Sequence, residues 1–363
     1  KKNWKMHDVF FLTLSGLVPI AEEEISSIIN LKKNEIANLT DSIIKLNTSL
    51  QNACLLAYAS QTARSVLIKV GESDKEMRKI NIQSLEPFIG KQKTFAIRSL
   101  SKNKDVEEKI GAELKQHTNL KVSLKTPELL FIAFQHENKI QICIDPAGFE
   151  LAKRQYRIYI HPETIKAPLA FAATTLANYT SLLDPFCGSG IIPIEAALNK
   201  TNISPHLYSK QKFLFTKFPN IDQDSIFALR DNKIKKGIKE KIYASDKNPS
   251  FLRGAEKNAI LAGVKQNISF SRLDIKDLDL KFTESSIDLI ATQPPPLTKQ
   301  NHLFIEKLYT EFFYQAEYIT STVSCITTET SFPELTKAAS KYHFEIKQTF
   351  QVEKNKIVLF KKT

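Results

Sequence analysis

The sequence predicts an α/β protein in two parts. An α+β front half is followed by an open, doubly wound sheet of mostly parallel strands. Three observations carry this. From residue 181 on, short apolar runs alternate with helical stretches, as buried parallel strands and their crossover helices do. Before residue 150, strands and helices follow one another in the mixed order of small α+β units. The length of 363 residues is also too great for one typical domain.

Taken in order, 9–14 reads as a strand and 19–29 as a helix with Pro19 in its first turn. With Lys1, Lys2 and Lys5 ahead of it, the run 9–20 resembles a secretory signal peptide. Glu22, Glu23 and Glu24 follow at once and no small-residue cleavage site is evident, so a buried strand, a glycine turn and a helix is the better reading. Residues 43–46 form a strand, 49–63 a helix with Ala53, Leu56, Ala57 and Ser60 at helical spacing, and 66–70 a strand. A short helix at 85–89 precedes a strand at 94–100. The stretch 104–117 is an amphipathic helix with Val106, Ile110 and Leu114 on one side. Strands at 129–134 and 140–144 pair through a turn at 136–139.

A basic connector follows, carrying Lys153, Arg154, Arg157, His161 and Lys166 with Tyr156 and Tyr159 interleaved. Cations among aromatic rings suit contact with phosphates and bases; a solvated linker has the same composition. Behind it, strands are expected at 181–183, 242–245, 268–270, 287–292 and 323–327, with a closing hairpin at 344–347 and 357–360. Residues 199–241 interrupt this series, and Phe213, Phe215, Phe218 and Phe227 predict that part of the insertion is packed.

Fifty-one Lys and Arg face 39 Asp and Glu, and a net charge of +12 suits a polyanionic partner. Four dispersed cysteines without a CxxC pair argue against a zinc site or disulfide framework and fit the cytoplasm, a reducing compartment. No metal is expected, and no apolar run is long enough to span a membrane.

The strongest motif is Asp184-Pro185-Phe186-Cys187-Gly188-Ser189-Gly190, which runs into an apolar helix. Glycines at a strand-to-helix turn let the backbone approach a ligand, and the helix start presents free N–H groups. Asp246 ends the next strand, where an acid grips ribose hydroxyls in doubly wound folds. Asp274 follows the third strand and either accepts from an adenine amine or caps a helix. The fourth strand ends in Thr292-Gln293-Pro294-Pro295-Pro296. Either this is a plain proline-rich loop, or its rigid carbonyls and the Gln293 amide oxygen accept hydrogen bonds from an exocyclic amine.

Together these segments resemble the bacterial and archaeal THUMP-domain RNA methyltransferases, over most of the chain. The resemblance rests on SGLVPIAEEEI near the start, the Asp-x-x-Gly and Lys-Arg-x-Tyr-Arg connector, HPETIKAPLAFA, DPFCGSG-IIPIEAAL, ASDKNPSFLRGAEKNAILAGV and KFLFTKFPNID. It implies a ferredoxin-like element at 1–50, a THUMP-like RNA-binding domain at 51–150, a connector at 151–166 and a class I, Rossmann-like methyltransferase domain at 167–363. That last domain would have seven strands, the last antiparallel. It also implies S-adenosylmethionine as cofactor, with Asp184, Gly188 and Gly190 at its methionine end, Asp246 at the ribose, Asp274 near the adenine and Phe186 among the cofactor-binding residues. Gln293, Pro294 and Pro295 become the catalytic loop, and Lys153, Arg154 and Arg157 the RNA contacts.

The expected activity is methylation of a guanine exocyclic amine in tRNA or large-subunit rRNA. The sequence leaves the choice between the two RNAs open. The loop departs from the family, which has Asn or Asp, Pro-Pro, then an aromatic residue. Gln293 sets its amide one methylene further out, and Pro296 offers no ring for a base to stack on. Phe186, Leu297 or Phe304 are left to supply that packing. The threonine expected after the glycine loop is replaced by Ile191. Two other readings stand beside the first: an RNA-binding protein that has lost catalysis, and an N6-adenine methyltransferase.

Overall fold

The computed structural model describes residues 5–83 and 85–363, without the side chain of Lys33. Lys1 and Lys2 lie outside the described residues. The chain divides into two compact units. The first comprises the chain up to Thr13, Glu22–Leu151 and His206–Asn232; the second comprises Leu14–Ala21, Ala152–Pro205 and Lys233–Thr363.

In the first unit, β1 (Met6–Leu12), β2 (Ile36–Asn38), β3 (Ile43–Ser49), β4 (Ser65–Asp74), β5 (Ile80–Ile82), β6 (Thr94–Ser99), β7 (Lys121–Val122), β8 (Leu129–His136) and β9 (Lys139–Ile144) share one sheet. The order is β2-β3-β1-β4-β9-β8-β6-β7, with β5 on β4. Strands from 1–50 and from 51–144 are thus hydrogen-bonded in a single sheet. The run 9–20 becomes the inner strand β1, a turn at Gly16 and helix α1 (Val18–Ile29). Helix α2 (Leu50–Ala59) starts at Ser49, whose side chain accepts from Asn52 N. Helix α3 (Lys104–His117) buries Val106, Ile110 and Leu114, the stripe its spacing predicts. The helix expected at 85–89 is instead a turn closed by Phe88 N and Ile89 N on the Leu85 carbonyl. Five residues are too few to repay helix nucleation. β2, β5 and β7, of three, three and two residues, are too short to show an alternation in sequence.

Part of the expected insertion packs in this first unit. Phe213 and Phe227 gather around Tyr58, with ring centroids 6.0 and 4.8 Å away, and the Tyr58 hydroxyl donates to Asp231 at 2.7 Å.

The second unit runs α4 (Ala167–Thr175), β10 (Ser181–Asp184), α5 (Ile191–Thr201), then after the insertion's α6 (Gln223–Asp231), β11 (Lys241–Asp246), α7 (Pro249–Leu261), β12 (Ile268–Arg272), β13 (Leu289–Thr292), α8 (His302–Ile319), β14 (Thr322–Thr328), α9 (Phe332–Lys341), β15 (Phe344–Val352) and β16 (Asn355–Lys362). The seven strands order as β12-β11-β10-β13-β14-β16-β15. The first five are parallel, and β16 runs antiparallel to both β14 and β15. This is the seven-stranded, Rossmann-like arrangement that the resemblance implies. β10 and β13 are buried at every position, because helices cover both faces. The order reverses beside β10, between β11 and β13. At such a switch point the strand ends diverge and leave a crevice.

Candidate cofactor and acceptor site

The crevice at the ends of β10, β11, β12 and β13 encloses about 1010 Å³ of empty space, open solvent at its mouth included. Asp184, at the end of β10, is 1 % exposed. Its Oδ1 accepts from Phe186 N at 3.2 Å and from the Thr292 hydroxyl at 2.6 Å. Burial pushes its carboxyl up to about 7; the two hydrogen bonds oppose this and the charge of Asp246 adds to it.

The loop that follows needs its glycines. Gly188 and Gly190 have φ of 49° and 80°, in the left-handed region. A Cβ on Gly190 would meet Ala255 Cβ of α7 at 2.8 Å, and one on Gly188 would meet the His161 ring at 3.2 Å. Gly190 is the N-cap of α5 and brings no side-chain cap, so the first N–H groups of this helix keep their donor capacity.

Asp246 ties the neighbouring loops together. Its Oδ2 accepts from Gly188 N at 3.0 Å and its Oδ1 from Asn248 N at 2.8 Å. Asp274 caps the short 3₁₀ helix after β12 by accepting from Lys276 N at 3.4 Å, and it also lines the crevice.

The loop after β13 faces this site. The Pro295 carbonyl accepts from the Tyr309 hydroxyl at 2.7 Å, and Pro296 O from Asn301 Nδ2 at 3.2 Å. Among the described residues, neither the Gln293 amide nor the Pro294 carbonyl has a hydrogen-bond partner. Of the expected site residues, Asp184, Phe186, Gly188, Asp246, Asp274, Gln293 and Pro295 line the crevice, and Gly190 and Pro294 do not. Phe304 lines it too, whereas Leu297 is held by its N–H to Ser331 Oγ at 2.8 Å.

The connector corrects one expectation. Arg154 is not an RNA contact. Its side chain is fully buried, donating to Glu195 of α5 from Nε at 2.8 Å and from a terminal guanidinium nitrogen at 3.0 Å. The Tyr156 hydroxyl joins the same carboxylate at 2.7 Å. A buried carboxylate and guanidinium must pair, since each alone is costly away from water. Lys153 is exposed and Arg157 half-buried, donating to Thr164 Oγ1 at 2.6 Å.

Sequence reasoning missed Asn258 and placed His161 only in the basic connector. Asn258, fully buried on α7, accepts from Ile158 N and Tyr159 N and donates to the carbonyls of Tyr159, at 2.7 Å, and Ser189, at 3.0 Å. It thereby fastens the connector to the glycine loop. The available signal was a polar residue within the apolar face of Ala255 and Ala259. His161 lines the crevice against Phe251, with ring centroids 4.3 Å apart. Among the described residues, no group of three or more His, Cys, Asp or Glu could hold a metal ion, and no helix is long and apolar enough to cross a membrane.

Known proteins match the sequence and the fold. Residues 154–358 match the family described as UPF0020, RMKL-like, methyltransferase domain. The tRNA (guanine(6)-N2)-methyltransferase of Methanocaldococcus jannaschii is 32% identical over 94% of this chain and 96% of its own length. The ribosomal RNA large subunit methyltransferase K/L of Chromohalobacter salexigens is 30% identical over 48% of this chain and 25% of its own. Among solved structures, a possible methylase from Clostridium difficile superposes with a TM-score of 0.78, covering 99% of both chains at 23% identity. TrmN from Thermus thermophilus does so at 0.73, with 19% identity over 99% of this chain and all of its own.

Proposed function

The chain belongs to the RMKL-like methyltransferase family, and from that premise we propose that it transfers a methyl group from S-adenosylmethionine to the exocyclic N2 amine of a guanine in tRNA. One observation carries the reading: the Gln293 amide lines the crevice that Asp184 and Asp246 also line, and it has no hydrogen-bond partner among the described residues. Its oxygen is the proposed acceptor for an N–H of the target amine, with the unpartnered Pro294 carbonyl next to it in the chain as the second. The relative that matches end to end is named for tRNA, whereas the large-subunit relative matches about half of this chain, which favours tRNA over rRNA.

The residues present fit the cofactor. Gly188 leaves its backbone bare at the crevice wall, Asp246 presents a carboxylate for vicinal hydroxyls, and Asp184 offers a negative charge for an ammonium group. When bound, S-adenosylmethionine supplies an electrophilic methyl group on a sulfonium. The protein's part is positioning: the proline-held loop orients the acceptor amine, and apolar walls from Phe186 and Leu273 exclude water. Guanine's amine is poorly basic, so alignment matters more than proton transfer. The target base leaves its stack to reach this depth. Lys153 and Arg157 are the proposed phosphate contacts of the connector, and the four free, buried cysteines suit action in the cytoplasm.

The test is transfer of labelled methyl to tRNA and, separately, to unmodified rRNA, with product nucleosides identified. We expect N2-methylguanine in tRNA, and about a hundredfold lower turnover in Gln293→Ala at unchanged cofactor affinity. A second reading, an RNA-binding member without catalysis, is favoured by Gln293 and Pro296 at the acceptor loop. Cofactor and RNA binding without product on either RNA selects it.

A further inference from the structure

We propose that Phe304 is the stacking platform for the base that receives the methyl group, an inference that rests on the RNA methyl transfer proposed above. A base drawn out of its helix loses stacking on both neighbours and regains it against an aromatic or apolar surface in the pocket. Pro296, beside the acceptors, has no π face to offer. Three phenylalanines line the crevice. The Phe186 ring is committed to Phe312, with centroids 5.6 Å apart, and Phe251 to His161. Phe304 pairs with no other aromatic ring among the described residues and is 56% exposed.

A lone exposed phenylalanine on an open surface calls for no explanation. Phe304 differs in what holds it. It lies in the first turn of α8, and that helix is clamped to the acceptor loop on both sides of it. Asn301 donates to Pro296 O at 3.2 Å and accepts from Thr298 N at 2.6 Å, while Tyr309 donates to Pro295 O at 2.7 Å. The start of α8, which carries the ring, is therefore hydrogen-bonded to the same loop that carries Gln293. Lys247 Nζ stands 5.5 Å from the ring centroid, which places a cation over the ring, where it would also attract a nucleotide's phosphate. At 56% exposure the ring keeps area for a purine.

The full-length chain is compared with Phe304→Ala, Phe304→Leu and Phe304→Tyr. Methyl transfer to a tRNA transcript gives kcat/KM, calorimetry gives S-adenosylmethionine affinity, and a transcript with 2-aminopurine at the target position reports stacking by fluorescence quenching. We expect kcat/KM to fall about 10- to 100-fold in the Ala and Leu variants and to be retained in Phe304→Tyr. Quenching should follow the same order, and cofactor affinity should stay constant throughout. Turnover of Phe304→Ala equal to wild type overturns the inference. So does full activity in Phe304→Leu, which would reduce the ring to apolar bulk, or a loss of cofactor affinity as large as the loss of turnover. A wild-type chain that methylates no RNA overturns the underlying RNA reading instead, and this inference with it.

Discussion

Asp184 sits at the end of the central strand with its carboxyl raised to about 7, mainly by burial. Its position predicts how the site answers to pH. Below pH 7 the carboxyl is largely protonated and would offer no charge to the ammonium group proposed to bind beside it. Calorimetric affinity for S-adenosylmethionine should therefore rise between about pH 6 and 8 and then level off, and Asp184→Asn should abolish that rise. Stability of the cofactor-free protein takes the opposite sign. The folded state binds this proton more tightly than the unfolded chain, so the residue's contribution is full below the usual carboxylate range and is lost as pH climbs through 7. Denaturant titrations of wild type and Asp184→Asn across pH 4–8 should converge at the acid end.

At Gly190, alanine should cost at least about 1–2 kcal/mol for the left-handed backbone alone, with the contact at 2.8 Å to Ala255 added. Chemical denaturation measures the loss. Both residues were legible in the sequence, because an acid and two glycines at a strand-to-helix turn have few other uses. The raised carboxyl was not, since it depends on what the fold packs around it.

Between elements, the Arg154–Glu195–Tyr156 network joins the connector to α5. Glu195→Ala removes the carboxylate that the buried Arg154 guanidinium binds and should destabilise the protein by about 3–5 kcal/mol in urea titrations. Replacing both charges together, Arg154→Met with Glu195→Leu, should recover most of that loss. This double variant should keep the salt dependence of RNA affinity, whereas Lys153→Ala should reduce the slope of log affinity against log salt by about 1. Composition could not separate Arg154 from Lys153, since adjacent cations in a connector look alike until the backbone points one inward. Asn258 makes the same point. Its side chain sits where helical spacing expects a small apolar residue, and only the carbonyls of Tyr159 and Ser189 explain it. Helix α3 is the contrary case: its apolar stripe is local, and its bounds followed from spacing alone.

For the molecule as a whole, the net charge of +12 predicts RNA binding that weakens steeply with salt. Each neutralised phosphate should contribute about 0.7–0.9 to the slope of log affinity between 50 and 200 mM salt. Cofactor affinity should change far less over the same range. Anisotropy titrations with tRNA test the first statement and calorimetry the second; a flat RNA titration would remove charge as the basis of recognition.

The sequence by itself determined the strand–helix alternation, the open doubly wound sheet, the glycine loop and the acids at successive strand ends. These follow from hydrophobic period and turn chemistry, which act over a few residues. Tertiary structure alone decided that β1–β9 share one sheet, that residues 206–232 pack with the front unit, that Arg154 turns inward, and that Phe304 and His161 reach the crevice. Each of these joins residues far apart in the chain, and no local periodicity records which buried partner or which open wall a side chain will meet.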